Sequence, residues 1–136
     1  MVDAQKLLAC FPEHSENMFV CESDEHLFII KTDEDYDQDA SRISLRMTAG
    51  RLVLQFLAVS HCYQGQGYCR KILTALFEMC LERGLPLNVE MACRPVVHVI
   101  ESLVRNCSAI KHYEKIPPTE YEWLGPNLEI NFFIAA

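Results

Sequence analysis

The residues whose types and spacing could do chemistry lie in the run Val59-Ser60-His61-Cys62-Tyr63-Gln64-Gly65-Gln66-Gly67-Tyr68-Cys69-Arg70-Lys71-Ile72-Leu73. A continuously apolar strand signal, Phe56-Leu57-Ala58-Val59, enters this run, and a helical apolar rhythm leaves it. A strand that passes through a glycine-bearing turn into a helix presents backbone N–H groups with no intrahelical partner. Those groups sit at the positive end of the helix dipole, so the junction is an anion cradle, and phosphate or pyrophosphate is the usual guest. Gly65 and Gly67 let the backbone approach that guest where a Cβ would intrude. Arg70 and Lys71 add positive charge to the first helical turn, where the dipole alone would favour acids.

The spacing narrows the guest. A nucleotide P-loop needs GxxxxGK[ST], which is not here, and a dinucleotide fingerprint needs a third glycine after Gly65-Gln66-Gly67, where Cys69-Arg70 stands instead. The pattern that fits is Q/R-x-x-G-x-G/A, with Gln64 and Gly67 in their places and Cys69 where glycine or alanine is usual. On these residues the segment resembles the GNAT superfamily of acyl-coenzyme A-dependent N-acetyltransferases. Leu57-Ala58-Val59 is similar to the family's motif strand and Ile72-Leu73 to its following helix, and the element order matches from residue 43 to the end.

The resemblance implies a division of labour. The backbone of Gln64, Gly65, Gln66, Gly67, Tyr68 and Cys69, with Arg70 and Lys71 nearby, would hold the pyrophosphate of acetyl-coenzyme A, the co-substrate. The strand end Leu57, Ala58 and Val59 would pair with the pantetheine amides, and no metal is involved. The reaction is direct attack of a neutral amine on an acetyl thioester. An alkylamine near pKa 10 is mostly protonated at neutral pH, so a base must take its proton, and the departing thiolate benefits from an acid. Glu90 is the first candidate base, because a carboxylate between Val89 and Met91 could sit in an apolar setting, and His61 is the second. Gln55 stands where the family often carries a glutamate, and it cannot be a base. The family's acid is a tyrosine early in the second helix, about seven residues after an asparagine; Arg94 and Glu101 occupy those approximate positions. The acid is therefore absent, replaced by Ser102 or Glu101, or supplied by water.

These residues need a scaffold. Asp3 to Phe11 reads as a short helix stopped by Pro12, and Met18–Cys21 with His26–Lys31 as a hairpin. Ile43–Met47 alternates with period two, Ala49-Gly50 turns, and Arg51–Val59 is the fourth strand, apolar at its end as if covered on both faces. Ile72, Ala75, Leu76, Met79 and Cys80 define one helix face, and Gly84 stops that helix. Leu85–Ala92 reads as a strand, and Pro95 opens a helix with Val96, Val99, Ile100 and Leu103 on one face. Ala109–Tyr113 and Leu128–Ile134 are the last strands, joined by a Pro-rich loop containing Trp123. The expected class is mixed α/β (α+β), with a GNAT-like central, mostly antiparallel sheet flanked by helices and splayed between the fourth and fifth strands. The family's usual helix pair after the first strand is not evident.

Composition sets the limits. The 136 residues carry 12 Lys and Arg against 19 Asp and Glu, a formal charge of −7, and a single domain over residues 1–136 is expected. The acidic balance argues against nucleic acid as a partner. No apolar run reaches the ~18 residues of a membrane span, and no signal peptide is evident, so a cytoplasmic location is expected. Asp33, Glu34, Asp35, Asp37 and Asp39 crowd around Tyr36, which suggests a cationic amine or a basic protein as acceptor. A second copy of the chain is a further candidate partner. A GNAT-fold protein that binds a partner or acts as an acidic mimic, with little catalysis, is the alternative. Seven cysteines show no CxxC pair and no matching histidines, and read as mostly buried packing residues.

Overall fold

Local sequence explains where each element starts. The computed structural model describes residues 2–13, 16, 18–31, 41–118 and 125–133, with the backbone alone at Ile30 and Lys31. The acidic segment 33–39, Trp123 and Ile134 lie outside the described residues. Asp3 caps α1 (Ala4–Leu8) by accepting from the backbone N–H of Gln5 and Lys6 at 3.1 and 3.2 Å, and the helix is shorter than the sequence pattern suggested. Strands β1 (Met18–Glu22) and β2 (His26–Lys31) are joined by the three residues Ser23 to Glu25, closed by Ser23 N–H donating to His26 O at 2.8 Å. A two-residue turn follows β3 (Arg42–Thr48); Ala49 and Gly50 both have positive φ, which suits the twist of a tight hairpin, and β4 (Arg51–Ala58) returns alongside.

Helix α2 (Tyr68–Arg83) runs between two left-handed glycines, Gly67 at φ 85° and Gly84 at φ 62°. It leads into β5 (Leu87–Val89), α3 (Arg94–Arg105), β6 (Ile110–Ile116) and β7 (Asn127–Phe132). Strand β5 has three residues where the sequence suggested eight. Pro86 cannot donate to a ladder, and Met91 adopts φ 47°, which ends the extended run on the other side.

The seven strands form one sheet in the order β1-β2-β3-β4-β5-β7-β6, antiparallel throughout except for the β4–β5 pair. The expected mixed, mostly antiparallel class is what the chain adopts. Leu27, Leu45, Leu54, Val89 and Leu128 are matched across consecutive strands and all lie on one face. That face joins Leu7 and Leu8 of α1, Ile72, Leu73 and Leu76 of α2 and Val96, Val99 and Ile100 of α3 in a single core. Each fully buried Leu or Ile there contributes on the order of 1.5–3 kcal/mol. Among the described residues, all three helices pack on this face. Ser44, Arg46, Asn88 and Glu129 belong to the opposite face, where no described helix lies.

Candidate active site

A bulge and a short strand create the opening. Ser44 is matched with Phe56 and Leu45 with Leu54, so Gln55 is the extra residue of a β-bulge, and its Oε1 accepts from Ser44 Oγ at 3.1 Å. Bulges bend a strand and increase its twist. The β4–β5 ladder runs only from Leu52–Leu87 to Leu54–Val89 and closes with Glu90 N–H donating to Leu54 O at 3.0 Å. Beyond that bond β4 keeps β3 on one side, through Leu57–Ile43 and Ala58–Arg42, while β5 has ended on the other. The splay between the fourth and fifth strands is therefore present. It also corrects one reading: Phe56 is exposed and Leu57, Ala58 and Val59 are half-buried, so this apolar strand end lines an opening and is not covered on both faces.

The cradle forms where β4 hands over to α2. A single 3-10 turn, His61–Tyr63, reverses the chain, and Gln64 Nε2 donates back to Val59 O at 3.1 Å, clamping the loop at its base. Gly65 and Gly67 have φ 78° and 85°, so both occupy the left-handed region. A Cβ at either would meet nothing within 4 Å, so the conformation itself, together with clearance for a guest, favours glycine there. Gly67 caps α2 without a side-chain bond, and Gly67 O accepts the first intrahelical bond, from Lys71 N–H at 3.0 Å. The N–H groups of Tyr68, Cys69 and Arg70 are thus left at the helix end without intrahelical partners. Tyr63 packs edge-on against Tyr68, with ring centroids 6.0 Å apart, and braces the loop.

A cleft of about 630 Å³ opens in front of this cradle. Leu57, Ala58, Val59, Gln64, Gly65, Gly67, Tyr68, Cys69 and Arg70 line it, so most of the residues expected to bind a cofactor converge on one space. Gln66 and Lys71 do not line it; the Gln66 amide donates to Cys62 O at 3.4 Å instead. The far wall comes from α3 through Cys93, Pro95, Val96, His98 and Val99. Those residues, and Tyr63, were missed in the sequence. The signal for two of them was the spacing Pro95–His98, one helical turn apart beside the apolar stripe of α3.

A second hollow, about 270 Å³, lies where the strands part and shares Leu57, Cys93 and Val96 with the cleft. Glu90 lines it, together with Gln55, Phe56 and Met91. The apolar setting expected for Glu90 is not found: Arg46 Nη2 lies 3.5 Å from its Oε1 and the side chain is 36% exposed. His61 and Ser102 line neither space. His61 lies on the 3-10 turn with Nε2 3.8 Å from Cys62 Sγ, and Ser102 sits on α3, away from the wall. Tyr113 is on β6, its buried hydroxyl facing the Glu101 carboxylate. Burial and the Glu101 carboxylate push its phenol up to about 12. Glu101 itself pairs with Lys115 at 3.6 Å. Among the described residues no group of three or more His, Cys, Asp or Glu could hold a metal ion.

The cysteines also differ from expectation. Only Cys10 and Cys80 are buried; Cys21, Cys62 and Cys93 are exposed and Cys69 and Cys107 half-buried, because four of these five sit in loops or at element ends. Burial pushes the Cys80 thiol up to about 12 and raises that of Cys69, where Cys93 adds to the effect and Arg70 opposes it.

The fold is that of the GNAT acetyltransferases. The ribosomal-protein-S18-alanine N-acetyltransferase of Escherichia coli aligns over 99% of this chain and 93% of its own, at 18% identity and a TM-score of 0.53. Two other structures are similar at lower TM-scores. The PaiA N-acetyltransferase of Thermoplasma acidophilum, solved with coenzyme A, aligns over 80% of this chain and 62% of its own, at 11% identity and a TM-score of 0.47. Tetrahymena GCN5 aligns over 84% and 72%, at 12% identity and 0.48. No protein-family model matches the sequence, and no curated protein matches it significantly.

Proposed function

We propose that this chain is an acetyl-coenzyme A-dependent N-acetyltransferase acting on a primary amine, either a small cationic amine or a lysine or N-terminus of a protein. One observation carries the reading: the glycine-turned N-terminus of α2 and the end of β4 that has no β5 partner line one cleft, and the hollow between β4 and β5 shares Leu57, Cys93 and Val96 with it. The N–H groups of Tyr68, Cys69 and Arg70 suit a pyrophosphate, and the Arg70 side chain adds charge at the cleft wall. The free edge at Leu57–Val59 offers backbone donors and acceptors to an extended amide chain, as an added strand would use them. Acetyl-coenzyme A, when bound, supplies an activated acetyl thioester that an unprotonated amine attacks directly, forming the amide and releasing the coenzyme thiol.

Glu90 is our choice for the group that takes the amine's proton; what supports it is that it alone among the expected catalytic residues lines the hollow beside the cleft. Arg46, 3.5 Å away, pairs with its carboxylate. Ser102 and Glu101 line neither space, which leaves solvent, or a group on the cleft wall such as Tyr68 or His98, to protonate the departing thiolate. The described chain has no helix long and apolar enough to cross a membrane. Seven free thiols suit a reducing, cytoplasmic setting.

The test is incubation with acetyl-coenzyme A and a mixed panel of amines, peptides and basic proteins, with thiol release followed and products weighed by mass spectrometry. Thiol release that depends on both the chain and an acceptor is expected. No release with any acceptor, despite a folded protein, would remove the catalytic reading and favour a silent, partner-binding GNAT fold.

A further inference from the structure

Among the described residues Glu13 and Ser41 are the only buried polar ones, at 7% and 0% exposure, and they are bonded to each other. They lie 28 residues apart, Glu13 in the segment between α1 and β1 and Ser41 immediately before β3. Ser41 Oγ donates to Glu13 Oε1 at 2.5 Å and accepts from Ser60 N–H at 2.9 Å. Chemistry fixes these roles: a backbone N–H can only donate, so the single hydroxyl proton of Ser41 is left for Glu13. The contact begins where the sheet's own pairing stops. The last matched pair of β3 and β4 is Arg42 with Ala58, and the Ser41 side chain carries the connection two residues further along the chain, to Ser60. Burying a carboxyl group is costly, and Glu13 Oε2 has no hydrogen-bond partner among the described residues. Apolar side chains of similar volume would fill this corner of the core without that cost. What they could not do is accept from the Ser60 N–H.

Ser60 stands at the base of the coenzyme turn. Beyond the bond from Glu90 N–H to Leu54 O, β4 has lost β5, so its end depends on the β3 side. The peptide group between Val59 and Ser60 is fastened at both polar ends: its carbonyl accepts from Gln64 Nε2 at 3.1 Å and its N–H donates to Ser41. Ser60 O then accepts from Tyr63 N–H at 2.9 Å and starts the 3-10 turn. Tyr63, Gln64, Gly65 and Gly67 line the cleft, whereas Glu13 and Ser41 line neither the cleft nor the hollow. Glycines lose more backbone freedom on ordering than other residues, so a turn with two of them at positive φ relies on its anchors.

We infer that Glu13 and Ser41 are positioning residues for this turn. Glu13 orients the Ser41 hydroxyl, the hydroxyl fixes the Val59–Ser60 peptide, and that peptide sets where the N-terminus of α2 and the free edge of β4 meet the coenzyme. The inference rests on the acetyl-coenzyme A reading for the identity of the ligand, and not for the clamp itself.

The experiment compares the parent chain with Ser41→Ala, Glu13→Ala and Glu13→Gln, by titration calorimetry with acetyl-coenzyme A and by amide hydrogen exchange without ligand. Ser41→Ala is expected to weaken binding about tenfold, about 1.4 kcal/mol, and to speed exchange over residues 60–67 while the core strands keep their parent rates. Glu13→Ala is expected to do the same. Glu13→Gln retains an oxygen for the Ser41 proton and is expected to bind within about threefold of the parent. Unchanged affinity in folded Ser41→Ala, exchange that rises through the whole sheet, or a Glu13→Gln no better than Glu13→Ala overturns the inference. So does a Ser60 amide that exchanges freely in the parent chain, a result that needs no variant to fold. A parent chain that binds no acetyl-coenzyme A, while Ser41→Ala still loosens 60–67 alone, keeps the clamp and removes the coenzyme reading.

Discussion

Glu90 shows how a single residue's role depends on what faces it. Its neighbours in sequence, Val89 and Met91, are apolar and line the same hollow, but its carboxylate also meets Arg46 on β3 at 3.5 Å. Removing the carboxylate while keeping its shape tests it as the base. Glu90→Gln is expected to lower kcat at neutral pH by roughly 10²–10³-fold, the usual size of general-base assistance. The loss should shrink at alkaline pH, where more of the amine is already neutral. A pH-rate profile that falls equally at every pH would assign Glu90 to binding or structure. Tyr113 and Cys80 make a separate, stability-linked prediction. Both hold their proton more tightly folded than unfolded, with values pushed up to about 12 from ordinary values of 10 and 9. Above those ordinary values the unfolded chain has fewer bound protons than the folded one, so stability falls as pH rises towards 12. Denaturant unfolding across this range should show that decline, and Cys80→Ala should make it shallower; an unchanged slope would mean that Cys80 does not contribute.

At the scale of elements, the α2 junction was readable because its shape depends on backbone conformation, and glycine spacing encodes conformation directly. Gly65 and Gly67 both stand at positive φ, and Gln64 closes the loop onto Val59, as a strand–turn–helix reading requires. The length of β5 was not readable. Leu85–Ala92 has the composition of a strand, but its end is decided by tertiary partners: Met91 N–H donates to Asn127 Oδ1 at 2.9 Å and Ala92 N–H to Pro126 O at 2.8 Å. The neighbouring Gly125 touches the same segment so closely that a Cβ would lie 2.0 Å from Ala92 O, a backbone atom that cannot swing aside. Gly125→Ala is therefore expected to destabilise the fold by about 1–3 kcal/mol and to loosen the wall near Cys93. A melting temperature equal to that of the parent chain would show that the 91–92 turn is not held by this contact.

For the whole molecule, the apolar pattern identified the core face but not what the other face does. Phe19, Phe28 and Phe56 look like interior strand residues by type, yet they point away from all three helices. The sequence offers no evident helix pair after β1; it could not show that Phe19, Phe28 and Phe56 share the face on which no described helix packs, because that depends on the pairing register. The charge of −7 likewise describes the molecule and not its site, which is built from helix-end N–H groups and Arg70. A net-acidic chain is thus compatible with the polyanionic cofactor proposed for it, since the attraction acts over the few ångströms of the cradle.

At the turn from Gly65 into α2 we propose a coenzyme cradle. Titration calorimetry of acetyl-coenzyme A into the parent chain and into Gly67→Trp, each checked as folded by circular dichroism, tests it most directly. The expected result is saturable one-site binding to the parent chain and at least about a tenfold loss of affinity in the variant, about 1.4 kcal/mol. No binding to the parent chain, or equal affinity in a folded variant, would contradict it.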